Sequence, residues 1–191
     1  MPQTLNQSYE QLVEKAQLLF WTLGYKGVKS KQLAEHLDVS ASTIYNKYTK
    51  DMLFMDSIGY YTSNYSDPFL SQLRNTDGGL DSLKDFFYAL IDALLDKTFP
   101  KSCLMVNTVV ELRNTNEDVV EVYKKYFGTL VDSYKIVLDK AIALGQIQHP
   151  EKKEEYAEFL LGIIFSMSIL YKIKQKEELR QYIDEQLAFI V

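Results

Sequence analysis

The residues of this chain that are best suited to contact a polyanion follow Ser40. The Ser40 hydroxyl can cap a short helix, and the pattern predicts that this helix runs from Ala41 to about Tyr48. Its outward side chains are small, polar or cationic: Ala41, Ser42, Thr43, Tyr45, Asn46 and Lys47. Such side chains can contact base edges and phosphates in the major groove of DNA. A solvated face on an ordinary helical hairpin would have a similar composition.

Two short helices joined by a tight turn are predicted to hold this surface outward. Inward-facing positions recur at helical spacing: Leu33, Ala34, Leu37, Ile44 and Tyr48. The small Ala34 lets the two helices approach closely where they cross. Asp38 occupies the turn, where a left-handed backbone is usual and Asp is tolerated better than most residues. The pattern is that of a helix-turn-helix.

The whole chain has helical periodicity, which predicts an all-α fold of about nine helices. A first helix is expected to stop at Gly24, and a fourth to run from about Met52 to Ser66 until Asp67-Pro68 breaks it. The segment Asn75–Gly79 is the clearest loop. Later helices are predicted at about Leu80–Lys97, Ser102–Arg113, Asn116–Ala143 with Asn116 as the cap, Glu151–Ile173 and Lys176–Ala188. Residues 1–50 would form a DNA-binding head, and residues 51–191 a larger effector-binding and dimerisation body.

The charges are distributed unevenly along the chain. The 191 residues carry 21 Lys and Arg against 26 Asp and Glu, a net charge of -5. Residues 1–50 nevertheless contain six Lys against four Asp and Glu. A mildly basic head on an acidic body fits phosphate binding by one face, although chance would also produce an asymmetry of this size.

Residue usage argues against several classes of protein. The single cysteine, Cys103, excludes an internal disulfide and fits a reducing cytoplasm, and two distant histidines give no metal-ligand spacing. The chain has no glycine-rich phosphate loop and no nucleophile elbow, so neither an enzyme nor a cofactor is predicted. The polar segment Met1–Tyr9 predicts no secretory signal, and no apolar run is long enough for a membrane span. We therefore expect a cytoplasmic protein.

The stretch from about residue 9 to residue 55 resembles the head of the tetracycline-repressor family of bacterial regulators. The matching residues are Leu23-Gly24-Tyr25, Leu33-Ala34-Glu35, Val39-Ser40, Thr43-Ile44-Tyr45 and Tyr48. The chain departs from the family pattern at Asp38, where glycine is usual, and at Asp51, where lysine is usual at the start of the fourth helix.

The resemblance implies DNA contacts by position. Lys29 to Lys31 would meet phosphate at the start of the second helix, with Lys31 able to reach a base. Thr43 and Asn46 would touch bases, and Lys50 would replace the lysine that is usual at the next position. The full predicted set is Lys29, Ser30, Lys31, Ser40, Ala41, Ser42, Thr43, Tyr45, Asn46, Lys47, Tyr48 and Lys50.

The resemblance also implies an effector pocket among the fourth to eighth helices and a homodimer formed through the last two long helices. In support of the dimer, apolar residues run almost all round Phe159–Leu170, and a helix that is apolar on several faces needs several partners. Gly162, Ser166 and Ser168 would allow close helix approach. The central helix of a monomeric core would have the same pattern.

Cys103 lies in a second matching stretch. Cys103-Leu104-Met105-Val106-Asn107, with Glu111, resembles the Gly-Cys-Leu-X-Val-Asn…Glu stretch of one branch of the family, some members of which sense electrophiles or oxidants through cysteine. A helix N-terminus and Lys101 would favour the thiolate, whereas a buried structural cysteine would explain the stretch by packing alone. The candidate pocket residues are Phe87, Cys103, Asn107, Glu111, Tyr126, Phe127 and Phe165.

Together these inferences predict a repressor that binds a palindromic operator on double-stranded DNA as a homodimer and is released by a small-molecule effector. A repressor of the same family that senses electrophiles or oxidants through Cys103 is the alternative. A helical adaptor that binds protein instead of DNA also fits the helical pattern.

Overall fold

The computed structural model describes residues 7–97, 100, 102–112 and 117–191. Over these residues the chain forms ten α-helices and no strand, so the all-α prediction is confirmed. The helices are α1 (Tyr9–Gly27), α2 (Ser30–Leu37), α3 (Ala41–Asn46), α4 (Lys50–Tyr61), α5 (Asp67–Arg74), α6 (Leu80–Leu95), α7 (Leu104–Leu112), α8 (Glu117–Ala143), α9 (Lys153–Leu170) and α10 (Lys176–Ala188). The predicted cap Asn116 and the Lys101 side chain lie outside the described residues.

Helix α1 begins at a reciprocal cap and is interrupted near its end. The Ser8 hydroxyl accepts a hydrogen bond from the Gln11 N–H (3.3 Å), while the Gln11 side chain accepts one from the Ser8 N–H (2.9 Å). Gly24 has a φ of 73° and leaves the helical conformation, as predicted for this position, and a further turn continues to Gly27. The buried Phe20 faces α4, where its ring meets the Phe54 ring at 5.1 Å.

Helices α2 and α3 form the predicted helix-turn-helix. Asp38 takes the left-handed conformation, with a φ of 55° and a ψ of 47°. The Ser40 hydroxyl caps α3 by accepting a hydrogen bond from the Thr43 N–H (3.1 Å). Helix α3 ends at Asn46, before the predicted Tyr48, because the N–H groups of Lys47 and Tyr48 both donate to the Thr43 carbonyl.

The prediction that Asp67-Pro68 ends the helical run is wrong. A π-turn at Thr62–Ser66 joins α4 to α5, and the Asp67 N–H donates to the Thr62 carbonyl five residues back. The helix starts anew after this turn, which places Pro68 in the first turn of α5. A proline there costs no helical hydrogen bond, because the N–H groups of a first turn have no acceptor within the helix.

The body is built around the long helix α8, which packs against α9, α5 and α6, while α10 packs against α6. Tyr134 of α8, Phe87 of α6 and Met167 of α9 are completely buried between these helices. A 3₁₀ turn at Pro150–Lys152 precedes α9. Helix α4 packs along α1, and the predicted domain boundary at residue 50 coincides with the first residue of α4.

Candidate DNA-binding surface and effector cavity

The outward side of α3 faces solvent. Ala41, Ser42, Tyr45, Asn46 and Lys47 are exposed, and Thr43 is half-buried. The Tyr45 ring is 66% exposed, although aromatic rings of this size contribute most when they are buried. On the inner side, Ile44 is buried with Leu33 and Leu37. The helix is therefore held by its apolar side and presents its polar side.

Helix α2 begins with exposed cations. Lys29 is the N-cap residue and makes no side-chain capping bond, so the first N–H groups of α2 are open to an external acceptor such as a phosphate. Ser30 is half-buried and Lys31 is exposed. The Lys31 ammonium lies 3.9 Å from the Glu35 carboxylate, but both side chains are largely exposed, so the pair is weak and the Lys31 charge stays available.

Helix α4 begins with Lys50 stacked on an aromatic ring. The Lys50 ammonium lies 4.1 Å from the centroid of the Tyr25 ring, and the Tyr25 hydroxyl donates a hydrogen bond to the Asp51 carboxylate. That hydrogen bond, with partial burial, raises the pKa of Tyr25 to about 12. Burial lowers the pKa of Lys50, while the charges of Asp51 and Glu111 oppose this shift. Asp51 is thus engaged by Tyr25, next to the lysine predicted to contact phosphate.

Tyr48 anchors the end of the helix-turn-helix to α1. Its ring meets the Tyr9 ring at 4.9 Å, and the Lys47 ammonium lies 4.8 Å from the Tyr48 centroid. The Tyr9 hydroxyl donates to the Asp56 carboxylate of α4. Burial and this hydrogen bond raise the pKa of Tyr9. The predicted DNA-binding residues therefore lie on α3, beside its end and at the first turns of α2 and α4, which are fixed to each other through α1.

The body contains a cavity of about 240 Å³ at the junction of α1, α4–α6, α8, α9 and the segment leading into α7. The described lining residues are Trp21, Tyr61, Tyr65, Ser66, Phe69, Leu70, Phe86, Leu90, Ala93, Leu94, Pro100, Ser102, Cys103, Tyr126, Leu130, Ile164, Met167 and Ser168. All of them are uncharged, and the polar groups among them are hydroxyls, a thiol and an indole N–H.

The Cys103 thiol lies between two buried tyrosines. The Tyr61 hydroxyl is 3.5 Å from the Cys103 sulfur, and the Tyr126 hydroxyl is 3.8 Å from it. Burial raises the pKa of both tyrosines, and the nearby Cys103 raises both further. The Ser66 hydroxyl donates to the Tyr126 oxygen (3.1 Å). The Tyr61 hydroxyl donates to the Cys103 sulfur, and in the Tyr126–Cys103 contact either group can be the donor.

Of the predicted pocket residues, Cys103 and Tyr126 line the cavity. Phe87 is packed in the core beside Tyr134, and the Asn107 side chain accepts a hydrogen bond from the Ser102 hydroxyl (3.2 Å). Phe127 pairs with Phe165 (5.1 Å between centroids), and Phe165 is 38% exposed at the surface of α9. The Glu111 carboxylate lies outside the cavity lining and accepts hydrogen bonds from the N–H groups of Tyr25 and Lys26.

Sequence reasoning expected the fourth helix at the pocket, but it missed the contribution of α1 and named neither Tyr61 nor Tyr65. Trp21, Tyr61 and Tyr65 line the cavity, and the Trp21 ring meets the two tyrosine rings edge-on at 5.0 and 5.4 Å. The spacing of Tyr61 and Tyr65 was a usable signal, because residues four apart share a helix face. Trp21 lies on α1 beside the buried Phe20. Its position in the chain therefore assigned Trp21 to the head and not to the cavity.

The described residues hold no group of three His, Cys, Asp or Glu side chains that could bind a metal ion. Among the helices they form, none is long and apolar enough to cross a membrane.

The fold and these two sites define a helix-turn-helix protein with a helical, cavity-containing body. The family model described as tetracyclin repressor-like, C-terminal domain, matches residues 79–187, and the bacteriophage CI repressor helix-turn-helix domain matches residues 25–58. The chain belongs to the tetracycline-repressor family of transcriptional regulators.

Individual relatives agree with this assignment. The HTH-type transcriptional repressor ComR of Escherichia coli (strain K12) is 28% identical over 159 residues, which cover 82% of this chain and 76% of ComR. The fold is similar to a cysteine mutant of the TetR family regulator CifR solved with 26-base-pair operator DNA (TM-score 0.84, 18% identity, 97% of this chain and 98% of that chain). It is also similar to the reduced form of E. coli NemR (TM-score 0.71, 14% identity, 92% and 94% of the chains).

Proposed function

We propose that this protein is a transcriptional repressor that binds a palindromic operator as a homodimer and leaves it when a small, uncharged effector occupies the body cavity. The observation that carries the proposal is the polar, solvent-facing side of α3 with its exposed Tyr45 ring. ComR is named as a repressor, and CifR was solved in complex with operator DNA. Both relatives support the same role for the present protein. We also propose that residues 1–50 act as the DNA-binding unit and residues 51–191 as the regulatory unit.

The surface of α9 and the chain after it supports the homodimer. Phe165 and Ile169 are exposed four residues apart on one face of α9, and Ile173, in the turn that follows the helix, is exposed as well. Ile169 is 65% exposed and Phe189, beyond α10, is 73% exposed. A row of large exposed apolar side chains is typical of an interface between subunits. A two-fold dimer through this face presents two heads, which is why the operator is expected to be palindromic.

The lining of the cavity supports an uncharged effector. Aromatic and aliphatic side chains make most of the wall, and every described lining residue is neutral. An ionised ligand would lose its hydration there without gaining an opposite charge, which is costly. The hydroxyls of Tyr61 and Tyr126 can orient a polar group on the ligand. We therefore expect a compact, mainly apolar molecule of about the size of one or two fused aromatic rings.

The DNA-binding part of the proposal is tested by fluorescence anisotropy with DNA from upstream of the protein's own gene. The wild-type protein should bind one sequence preferentially, and its affinity should fall steeply with salt because phosphate contacts release counterions. Tyr45→Ala and Lys47→Ala should each weaken binding by about tenfold or more, and Lys47→Ala should lower the salt slope by about one. Lys152→Ala, an exposed lysine of the body, is the matched control. A wild-type protein that shows no sequence preference would contradict the proposal.

The effector part is tested with a matched pair of probes, 1-naphthol and 1-naphthoate. Trp21 is the only tryptophan of the chain and lines the cavity, so its fluorescence reports occupancy directly. We expect 1-naphthol to quench it and to weaken operator binding, and 1-naphthoate, which is charged, to do neither. Tyr126→Phe should weaken naphthol binding by about the worth of one hydrogen bond, roughly 1 kcal/mol. Preferential binding of 1-naphthoate would rule out the uncharged class.

A second candidate mechanism is covalent sensing through Cys103, favoured by the two hydroxyls beside its sulfur. A thiolate adding to the β-carbon of an α,β-unsaturated ketone forms a C–S bond and consumes the C=C π bond, while a solvent proton goes to the α-carbon. Methyl vinyl ketone should then release the operator from the wild type with one adduct by mass, and leave Cys103→Ser bound. Release of Cys103→Ser by the same reagent would exclude this mechanism.

A further inference from the structure

Helix α7 is tied to α1 at both of its ends. At its N-terminal end, the Ser102 carbonyl accepts a hydrogen bond from the Trp21 indole N–H (2.8 Å). At its C-terminal end, the Glu111 carboxylate accepts hydrogen bonds from the N–H groups of Tyr25 (2.9 Å) and Lys26 (2.6 Å). The first tie lies at the cavity and the second lies in the head. Helix α7 thus spans the distance between the two sites that the proposed function requires to communicate.

The Glu111 carboxylate is hydrogen-bonded to backbone N–H groups, so it constrains the backbone conformation of α1 directly. Each carboxylate oxygen accepts one N–H, and the Lys26 ammonium returns a hydrogen bond to the Glu111 carbonyl (2.9 Å). Hydrogen bonds to an ionised acceptor are stronger than neutral ones. They fix the turn after Gly24, where α1 leaves the helical conformation.

Gly24 makes this close approach possible. Its φ of 73° lies in the region that favours glycine, and a Cβ built at this position would lie 2.6 Å from a Glu111 carboxylate oxygen. The geometry of the turn and the reach of Glu111 therefore depend on each other.

The turn held by Glu111 leads directly to predicted phosphate contacts. The Tyr25 ring contacts the Lys50 ammonium, and the Tyr25 hydroxyl donates a hydrogen bond to the Asp51 carboxylate. These two contacts position the first turn of α4. Val28, which is completely buried, follows the turn and precedes Lys29 at the start of α2. A movement of Glu111 would thus be passed to the first turns of two helices of the head.

We propose that Glu111 is a positioning residue that couples occupancy of the cavity to the DNA-binding head. A ligand packed against Trp21, Ser102 and Cys103 displaces the start of α7, and Glu111 transmits the displacement to Tyr25 and Lys26 at its end. This inference rests on the proposed function for its outcome, the release of DNA, but the tie itself can be measured without DNA.

The tie is tested first by amide hydrogen exchange on the full-length protein. In Glu111→Ala the amides of Tyr25 and Lys26 should exchange at least about tenfold faster, because their acceptor is gone. Glu111→Gln keeps one acceptor oxygen and should show an intermediate effect. Glu121→Ala, which removes an exposed carboxylate of α8 paired with Lys124, is the control and should leave both amides unchanged. Unchanged protection in Glu111→Ala would overturn the inference.

Coupling is tested next by filling the cavity at Cys103, in two independent ways. In the first, N-ethylmaleimide modifies the single cysteine, and mass spectrometry counts the adducts. In the second, the Cys103→Phe substitution fills the same space with a larger side chain. In the wild-type background each change should speed exchange at Tyr25 and Lys26 and weaken operator binding by about tenfold, a coupling of ordinary size. In Glu111→Ala the same changes should alter operator affinity by less than about twofold, because the connection is already broken.

The outcomes separate this inference from the proposed function. An equal loss of operator affinity in the wild-type and Glu111→Ala backgrounds would overturn the coupling role while leaving the repressor proposal intact. Filling the cavity without any change in affinity or exchange would overturn it as well. Absence of operator binding by the unmodified wild type would defeat the proposed function instead, and the exchange measurements would still decide whether α7 transmits the change to the turn.

Discussion

The proposed DNA-binding surface of the head and the cavity of the body differ in how far apart in the chain their residues lie. The surface of α3 comes from a few consecutive residues held by one capping serine and one buried isoleucine, Ser40 and Ile44. The cavity is assembled from helices that lie between Trp21 and Ser168. The head is therefore a local structure on a small support, whereas the cavity exists only when distant helices are correctly packed.

The two regions are also separated by chemistry. Exposed lysines and hydroxyls cover the start of α2 and the outer side of α3. The described wall of the cavity is neutral and mostly apolar. A polar, open surface suits a hydrated polyanion, and an apolar, recessed one suits a small neutral ligand. The difference predicts that substitutions in the two regions will have separable effects.

The largest effect is expected from the shared support of the two regions. Phe20 is completely buried on α1, against Tyr25 and Phe54. Phe20→Ala should lower the free energy of unfolding by about 3–5 kcal/mol, measured by urea denaturation. Leu18→Ala, on the exposed side of the same helix, should cost less than about 1 kcal/mol. If the head unfolded separately from the body in Phe20→Ala, the two regions would be more independent than the packing of α4 on α1 suggests.

A smaller loss is expected at the contact between the two regions. Gly24→Ala should cost about 1–3 kcal/mol through the positive φ alone, with a further loss from the contact with Glu111. In the Glu111→Ala background the second part should disappear, since the carboxylate is absent. A thermal or urea double-mutant cycle measures this difference, and strictly additive effects would show that Gly24 and Glu111 are independent.

Alkaline pH should distinguish buried tyrosines of the body from those of the head. Burial and Cys103 hold the pKa of Tyr126 above its ordinary value, so the folded state keeps this proton longer than the unfolded chain does. The stabilisation is complete below about pH 10 and is lost as pH rises, by up to about 1.4 kcal/mol per pH unit for one such group. Urea unfolding between pH 9 and pH 11.5 should therefore show a shallower decline in Tyr126→Phe than in the wild type.

Tyr25 provides the comparison from the head. Its pKa is raised to about 12, first by the hydrogen bond to Asp51, but its side chain is half-exposed. Both substitutions should make the decline of the free energy of unfolding with rising pH less steep. Because solvent screens the Tyr25 side chain, the change should be smaller in Tyr25→Phe than in Tyr126→Phe. Equal slopes in the two variants would remove this difference between the regions.

The smallest effect is expected at the cap of α3. Ser40→Ala removes the hydroxyl that accepts the Thr43 N–H and should cost about 1 kcal/mol. Ser63→Ala, an exposed serine of the π-turn, should change stability by less than about 0.5 kcal/mol. Operator affinity should fall in Ser40→Ala and remain unchanged in Ser63→Ala. Unaltered affinity in both would mean that the cap does not set the position of α3 on DNA.

The helices and the helix-turn-helix were predictable because their determinants are local. Asp38 takes the left-handed turn, Ser40 caps α3, and Gly24 interrupts α1, as the sequence indicated. The π-turn before α5 was not predictable by the same reasoning. Pro68 carries the same local signal whether it ends a helix or begins one, and only the hydrogen bond from Asp67 to Thr62 separates the two cases.

The sequence by itself determined the helix-turn-helix and its polar outer side, because capping and apolar spacing act over a few neighbouring residues. Tertiary structure alone decided that Trp21 and Tyr61 line the cavity and that Glu111 reaches α1. Those placements depend on how helices far apart in the chain cross and pack. The same residue types, aromatic rings and a carboxylate, occur at many other positions where they serve only as core or as solvated surface.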